Sequence, residues 1–205
     1  MASTSSTTQE QAVLALAKQR PLLRARDVSG LGVPTAVLSR LVTTGKLERV
    51  TRGVYSLPRR RLSAHRSLAE VALRAPQGVV CLLSALRLHE IGTQSPFEVW
   101  LAVPNNVPTP RLDQPALRVV RMSGSALTEG IEVTEIDGVQ VRVFSPAKTI
   151  ADCFKYRNKI GLDVALEALR DGWRKGKLKM DDLWHYATVE RVANVMRPYL
   201  ESVAA

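Results

Sequence analysis

Apolar residues in the first third of the chain recur at helical spacing and then switch to alternation. Val13, Leu16 and Ala17 share one face of a segment from about Gln9 to Gln19, with Thr7 or Thr8 as its N-cap and Pro21 as its stop. The polar leader Ala2–Thr8 is expected to fray. A short second helix is expected over Arg24–Ser29 with Ala25 and Val28 turned inward, and Gly30-Leu31-Gly32 reads as a turn. Pro34 suits the first position of a third helix, Pro34–Thr44, because the N–H it lacks has no helical partner there. Val37, Leu38, Leu41 and Val42 form that helix's apolar stripe, and Gly45 ends it. Its other side carries Thr35, Ala36, Ser39, Arg40 and Thr43, all small, polar or basic. Lys46–Val50 alternates as a strand does, Thr51-Arg52-Gly53 turns, and Val54–Leu57 returns. Three helices and a hairpin in this order are the layout of a winged helix-turn-helix.

The pattern changes after Pro58. Arg59-Arg60-Arg61 falls in a linker, placed at residues 58–66, where a short basic run either touches phosphate or is simply solvated. Helices are expected over Leu68–Leu73, broken by Pro76-Gln77-Gly78, and over Val79–Ile91, ended by Gly92. Extended segments follow at Phe97–Val103, Ala116–Met122, Ile131–Ile136 and Val139–Phe144, the last two joined by the hairpin turn Asp137-Gly138. Beyond Ser145-Pro146, helical periodicity returns at Ala147–Tyr156, Leu162–Lys175 and Met180–Val195. The expected fold class is therefore α+β. A winged helix-turn-helix at 9–57 precedes a mixed α+β domain at 67–205 in which strands come before helices.

Charge sharpens this division. Of 29 lysines and arginines against 19 acids in 205 residues, eleven basic but only three acidic residues precede Ser63. The positive field thus belongs to the N-terminal third, which draws polyanions to it. A helix presenting short or basic side chains fits the major groove, where acidic ones would meet phosphate. Thr35, Ala36, Ser39, Arg40 and Thr43 are the expected base-facing residues, with Arg40 the candidate for a bidentate guanine contact. Lys46, Arg49 and Arg52 would hold the hairpin on the backbone, and Arg24 or Arg26 would meet phosphate near the second helix. The competing reading is a small helical domain whose basic hairpin binds an acidic protein.

Leu23-Arg24-Ala25-Arg26-Asp27-Val28, followed by Gly45-Lys46-Leu47 and Arg52-Gly53-Val54-Tyr55, resembles the N-terminal winged-helix domain of AbiEi-type antitoxins. Looser matches lie at Ser84–His89 and Ser145–Asp152. The resemblance implies a transcriptional autorepressor that binds inverted repeats of double-stranded DNA in its own promoter, as a monomer or dimer. It further implies a second domain that neutralises a nucleotidyltransferase-like toxin in phage defence. The chain ends at Ala205, short of many relatives, so a stand-alone regulator without a toxin is the alternative.

Catalytic chemistry is sparse in the sequence. His65, His89 and His185 have no ligand-spaced partners, and His89 is expected to pack or to hydrogen-bond at a helix end. Cys153 follows Ala151-Asp152 on an apolar helix and reads as a buried thiol, and Cys81 matches no metal spacing. There is no phosphate loop and no Gly-x-Ser-x-Gly. Glu98, Glu132, Glu135 and Asp137 are strand-borne carboxylates, but none is followed by the Lys of a nuclease motif. Lys148 and Asp152 are spaced for a local i, i+4 ion pair. Neither an enzyme nor a cofactor is expected, with a metal-dependent nuclease as the outlying alternative. Aromatic content of 5% disfavours recognition of single strands by stacking. Arg170, Arg174, Lys175, Lys177 and Lys179 read as a solvated helix end, with a second phosphate contact or an acidic partner as alternatives. The longest apolar run, Ala12–Ala17, is far short of a membrane span, and the start lacks a signal peptide's pattern, so a cytoplasmic protein is expected.

Overall fold

The elements of the first unit follow in the order α1 (Ala2–Gln19), β1 (Leu23–Arg24), α2 (Ala25–Ser29), α3 (Ala36–Thr43), β2 (Glu48–Thr51), β3 (Val54–Ser56) and α4 (Arg66–Arg74). This computed structural model describes residues 2–59, 63–110, 112 and 114–204. Contacts divide the chain into two units: residues up to Arg74 with Glu135–Gln140, and Ala75–Thr134 with the chain from Val141 onward. Arg60 and Arg61 of the basic run lie outside the described residues.

Val13 and Ala17 of α1 meet Val28 of α2 and Val37, Leu38 and Leu41 of α3 in one buried cluster, closed by Leu23, Val33 and Leu47. The inward faces expected for the three helices are therefore the observed ones. Two details differ. Helix α1 begins at Ala2 and so takes in the leader expected to fray. No Gly or Pro precedes Thr8, and Ser and Thr only weakly oppose extension of a helix anchored downstream. The hairpin also has a third partner, because β1 pairs with β3 and the sheet order is β1-β3-β2. A two-residue strand has too little pattern for periodicity to reveal.

The second unit continues with β4 (Val79–Val80), α5 (Leu82–Leu88), β5 (Val99–Pro104), β6 (Leu117–Met122) and α6 (Ser125–Thr128). After these come β7 (Ile131–Ile136), β8 (Val139–Phe144), α7 (Pro146–Lys155), α8 (Arg157–Ile160), α9 (Leu162–Arg174), α10 (Met180–Val189) and α11 (Ala193–Ala204). Its sheet runs β6-β5-β4-β8-β7, with β4 antiparallel to β5 and parallel to β8, and β5 parallel to β6. The class is mixed α+β, but strands do not simply precede helices, since α5 and α6 interrupt them. The expected helix Val79–Ile91 also divides: Val79 and Val80 form the middle strand. Val-Val-Cys-Leu-Leu has no period that separates helix from strand, and the β-branched pair decides in favour of the strand. The Asp137-Gly138 turn is as expected, both residues taking positive φ, 50° and 75°.

The expected helix Met180–Val195 breaks in two. Arg191 adopts φ 58°, and the N–H groups of Val192 and Arg191 donate to the carbonyls of Ala187 and Thr188. This is the double bond pattern of a left-handed helix cap, made here without the glycine that would announce it. The break leaves Glu190 buried at the end of α10.

Lys148 on α7 has no exposed side-chain surface, and its Nζ lies 2.7 Å from Asp152 Oδ1 and 2.8 Å from Glu190 Oε1. It also sits 4.2 Å from the centroid of the Phe144 ring. Lys155 Nζ reaches Glu190 Oε2 at 2.5 Å. The expected i, i+4 pair is thus one edge of a four-charge network joining α7 to the end of α10. Burial pushes the Asp152 carboxyl up to about 7, against the pull of Lys148. Removing the cation leaves two buried carboxylates facing each other. Lys148→Met is expected to destabilise this unit by about 3–5 kcal/mol. Urea unfolding followed by tryptophan fluorescence checks this in the right place, since the chain's three tryptophans, Trp100, Trp173 and Trp184, all lie in the second unit.

Candidate nucleic-acid interface

The exposed side of α3 follows from how the helix is fixed. Val37, Leu38 and Leu41 are 3%, 0% and 0% exposed, and Val42 is half-buried. With that stripe held in the core, Thr35, Ala36, Ser39, Arg40 and Thr43 face outward, and all five are exposed. At the start, the N–H groups of Val37 and Leu38 donate to Pro34 and Thr35 carbonyls. At the end, Lys46 N–H reaches Leu41 O at 2.9 Å and Gly45 N–H reaches Val42 O at 3.0 Å, with Gly45 at φ 69°. These two bonds are a Schellman cap, and they place Lys46 at the foot of α3. The expected strand therefore starts later, at Glu48, and Lys46 belongs to the helix end.

Arg49 and Arg52 are exposed on the hairpin, and Gly53 supplies φ 78° at its turn. Gly53 O accepts the N–H of Ala25 at 2.9 Å, and Arg24 pairs with Val54 across β1 and β3. The missed strand β1 is thus what ties the hairpin turn to the start of α2. It brings Arg24, Ala25, Arg26, Arg52, Gly53 and Val54 around one pocket of about 280 Å³, whose remaining wall is Leu73 and Arg74 of α4. Arg74 Nη1 donates to Arg52 O at 2.5 Å. Sequence reasoning missed Arg74, because it stands beyond the hairpin in a helix read as part of another domain.

Two acids restrain the basic residues. Glu10 of α1 lies 3.5 Å from Arg40 Nη1 and 3.1 Å from Lys46 Nζ. The hydrogen bond from Lys46 holds its carboxyl below the ordinary value. Arg24 is committed to Asp27: its Nε and Nη2 donate to the carboxylate at 2.8–3.1 Å, and its backbone N–H donates to Oδ2 at 3.0 Å. Of the ten residues singled out in sequence, Arg24 is the one not exposed.

Elsewhere the candidate chemistry is occupied by structure. His89, at the end of α5, has its Nε2 2.7 Å from the carbonyl of Phe144 in β8, and His185 Nε2 lies 2.9 Å from Glu129. Cys81 and Cys153 are buried, and burial pushes both thiols above their ordinary range, as suits structural residues. Among the described residues no three His, Cys, Asp or Glu converge to hold a metal ion. The basic residues Arg170, Arg174, Lys175, Lys177 and Lys179 are exposed, as expected of a solvated helix end, and three of them also make contacts. Lys175 and Lys177 donate to the carbonyls of Glu90 and His89 at the end of α5, and Arg174 and Lys175 bind Asp171 at 2.6 and 2.7 Å. Among the described residues no helix is long and apolar enough to cross a membrane.

Asp27 offers a direct check of this geometry. Burial pushes its carboxyl up, but the side-chain and backbone hydrogen bonds from Arg24 outweigh burial and leave it below its ordinary 3.8. A depressed folded-state value means that Asp27 stabilises the fold above pH 3.8, and that this contribution is lost as pH falls through the folded value. In an NMR carboxyl titration Asp27 is expected to turn over below 3.8, and in Arg24→Ala to rise, because the guanidinium is lost while the backbone N–H of residue 24 still donates to the carboxylate.

No curated protein matches the chain in sequence. Among solved structures, the RV2827C protein from Mycobacterium tuberculosis is similar in fold, with a TM-score of 0.60 at 15% identity over 88% of this chain and 71% of that one. Residues 11–58, the segment from the middle of α1 through the hairpin, match the family described as transcriptional regulators of the AbiEi antitoxin type.

Proposed function

We propose that the first unit is a winged helix-turn-helix that binds double-stranded DNA, and that the protein is a sequence-specific transcriptional repressor acting on its own promoter. The carrying observation is the exposed face of α3. Five short, polar or basic residues without a carboxylate stand on a helix whose opposite face is locked in the core. The order α1-β1-α2-α3-β2-β3 and the family match over residues 11–58 support the same reading. In it, Thr35, Ala36, Ser39, Arg40 and Thr43 face base edges in the major groove, while Arg26, Arg49, Arg52 and Lys46 meet the backbone. Arg24 acts chiefly by fixing the start of α2 through Asp27. We assign the antitoxin role, against a nucleotidyltransferase-like toxin, to the second unit, because the face just described is committed to DNA.

The decisive experiment is a salt-titrated binding assay on the protein's own upstream fragment and on a scrambled duplex. Preferential binding to the upstream fragment, with affinity falling steeply as salt rises, is the expected result. Equal weak binding to both overturns the repressor reading and favours an acidic protein partner. Arg40→Ala is expected to cost about 1–3 kcal/mol on the specific fragment only, whereas Arg52→Ala weakens both duplexes alike. A second expectation concerns Glu10, which in the free protein holds Arg40 and Lys46. Glu10→Gln removes a competitor for phosphate and is expected to raise affinity for the scrambled duplex, so that the ratio of specific to non-specific binding falls. An unchanged ratio excludes that role for Glu10.

A further inference from the structure

We propose that the cavity between α10 and residues 123–126 of the second unit binds a purine nucleotide, with the base against Trp184 and the phosphates between Lys155 and Arg191. The proposal concerns the second unit alone and stands whether or not the first binds DNA. The cavity measures about 1080 Å³, at the top of the range of small-molecule sites, about 300–1,000 Å³. Asp181, Trp184 and Thr188 line it and are spaced i, i+3 and i+7 on α10, so they face it from one side of the helix. At the helix end the lining continues with Glu190 and Arg191, and α7 contributes Lys155. The facing wall at 123–126 is Ser-Gly-Ser-Ala, whose small side chains leave room for a ligand.

The chemistry of the lining is ordered along α10. At 1.5 Å per residue, Asp181 and Glu190 stand about 13 Å apart along the axis, the span of an extended nucleotide. One end offers the Asp181 carboxylate, an acceptor for the N–H groups on the edge of a purine base. The middle offers Trp184, half-buried and packed against the core, a platform on which a base stacks. The far end is cationic. Glu190 is 2% exposed and already held by Lys148 at 2.8 Å and Lys155 at 2.5 Å, while the Lys155 side chain stays 36% exposed. Lys148, Lys155 and Arg191 there face two carboxylates, Glu190 and Asp152, and burial pushes Asp152 toward its neutral form. Arg191 carries a further sign of use. Its φ of 58° strains an L side chain, and the cap it completes with Val192 needs backbone atoms alone. Glycine makes the same two bonds without that strain. The chain instead places an arginine there, and its side chain lines the cavity with Lys155. Guanidinium forks and ammonium groups are the partners that phosphate oxygens require.

Calorimetry on the full chain tests this with GDP, ADP, adenosine and pyrophosphate as probes. GDP or ADP is expected to bind, with adenosine and pyrophosphate weaker by about tenfold or more, because each fills only one end of the site. Arg191→Gly keeps the cap and relieves the strain, so its thermal midpoint stays near that of the wild type. Its affinity for the nucleoside diphosphate is expected to fall by about 10–100-fold, with adenosine unaffected. Tryptophan emission gives a second readout. The nucleotide is expected to quench it in the wild type, and in Trp184→Phe, which keeps an aromatic platform, to bind with that quenching lost. Pyrophosphate bound as tightly as the nucleotides makes the site an anion patch and overturns the proposal. So does unchanged affinity in Arg191→Gly, quenching that persists in Trp184→Phe, or a wild type that binds neither GDP nor ADP. A polyglutamate peptide that binds where the nucleotides do not assigns the cavity to an acidic protein and overturns it equally.

Discussion

Eight residues of helix do not persist alone in water, because the cost of nucleating a turn is recovered only over a longer run. Helix α3 exists on the strength of Val37, Leu38 and Leu41 packing into the cluster that includes Val13 and Ala17 of α1 and Val28 of α2. That constraint also sets the rotation of the helix about its axis. Once three consecutive stripe positions are inside, Thr35, Ala36, Ser39, Arg40 and Thr43 have no choice but to be outside. The Schellman cap at Gly45 then fixes where the helix stops, which delivers Lys46 to its foot and Leu47 back into the core. Orientation of the candidate recognition surface is therefore a by-product of core packing. A chain that loses the stripe loses the surface with it.

Electrostatics acts on this frame as a second layer with a different purpose. Exposed ion pairs add little stability, so Glu10 with Arg40 and Lys46 is better understood as an arrangement for the long cationic side chains than as a prop for the fold. An internal carboxylate holds them close to the helix. Asp27 serves Arg24 differently, since it engages both the guanidinium and the backbone N–H and so belongs to the start of α2. Of the three acids in the first 62 residues, two are thus used on basic partners, and the third, Glu48, is exposed on β2.

Long elements with a clear period were legible in the sequence, and so were the faces they bury. The stripes of α1, α2 and α3, the β2–β3 hairpin, and the pair β7 and β8 with its Asp-Gly turn all follow from spacing and turn chemistry. Short elements were not. β1 and β4 have two residues each, and both are held by neighbours distant in sequence, Tyr55 and Val54 for the first, Ala102, Leu101 and Val143 for the second. The break after α10 escaped because Arg191 takes a backbone conformation usually marked by glycine. The same limit applies to the site. The exposed residues of α3 could be named from periodicity, but the gathering of arginines around Gly53 depends on β1 and on α4, neither of which a local pattern connects to the hairpin.

Net charge misleads unless it is followed to its partners. The lysines and arginines near the end of α9 look in sequence like a second basic patch, yet Lys175 and Lys177 donate to the carbonyls of Glu90 and His89 just beyond α5, and Arg174 and Lys175 bind Asp171. Lys148 and Lys155 are spent on Asp152 and Glu190. Cations paired in this way raise the isoelectric point while part of their charge is offset locally. In the first unit the acids are too few to do the same, so Arg26, Arg49 and Arg52 stand exposed on the hairpin and at α2. The second unit thus pairs several of its cations internally, while Arg26, Arg49 and Arg52 of the first stand exposed.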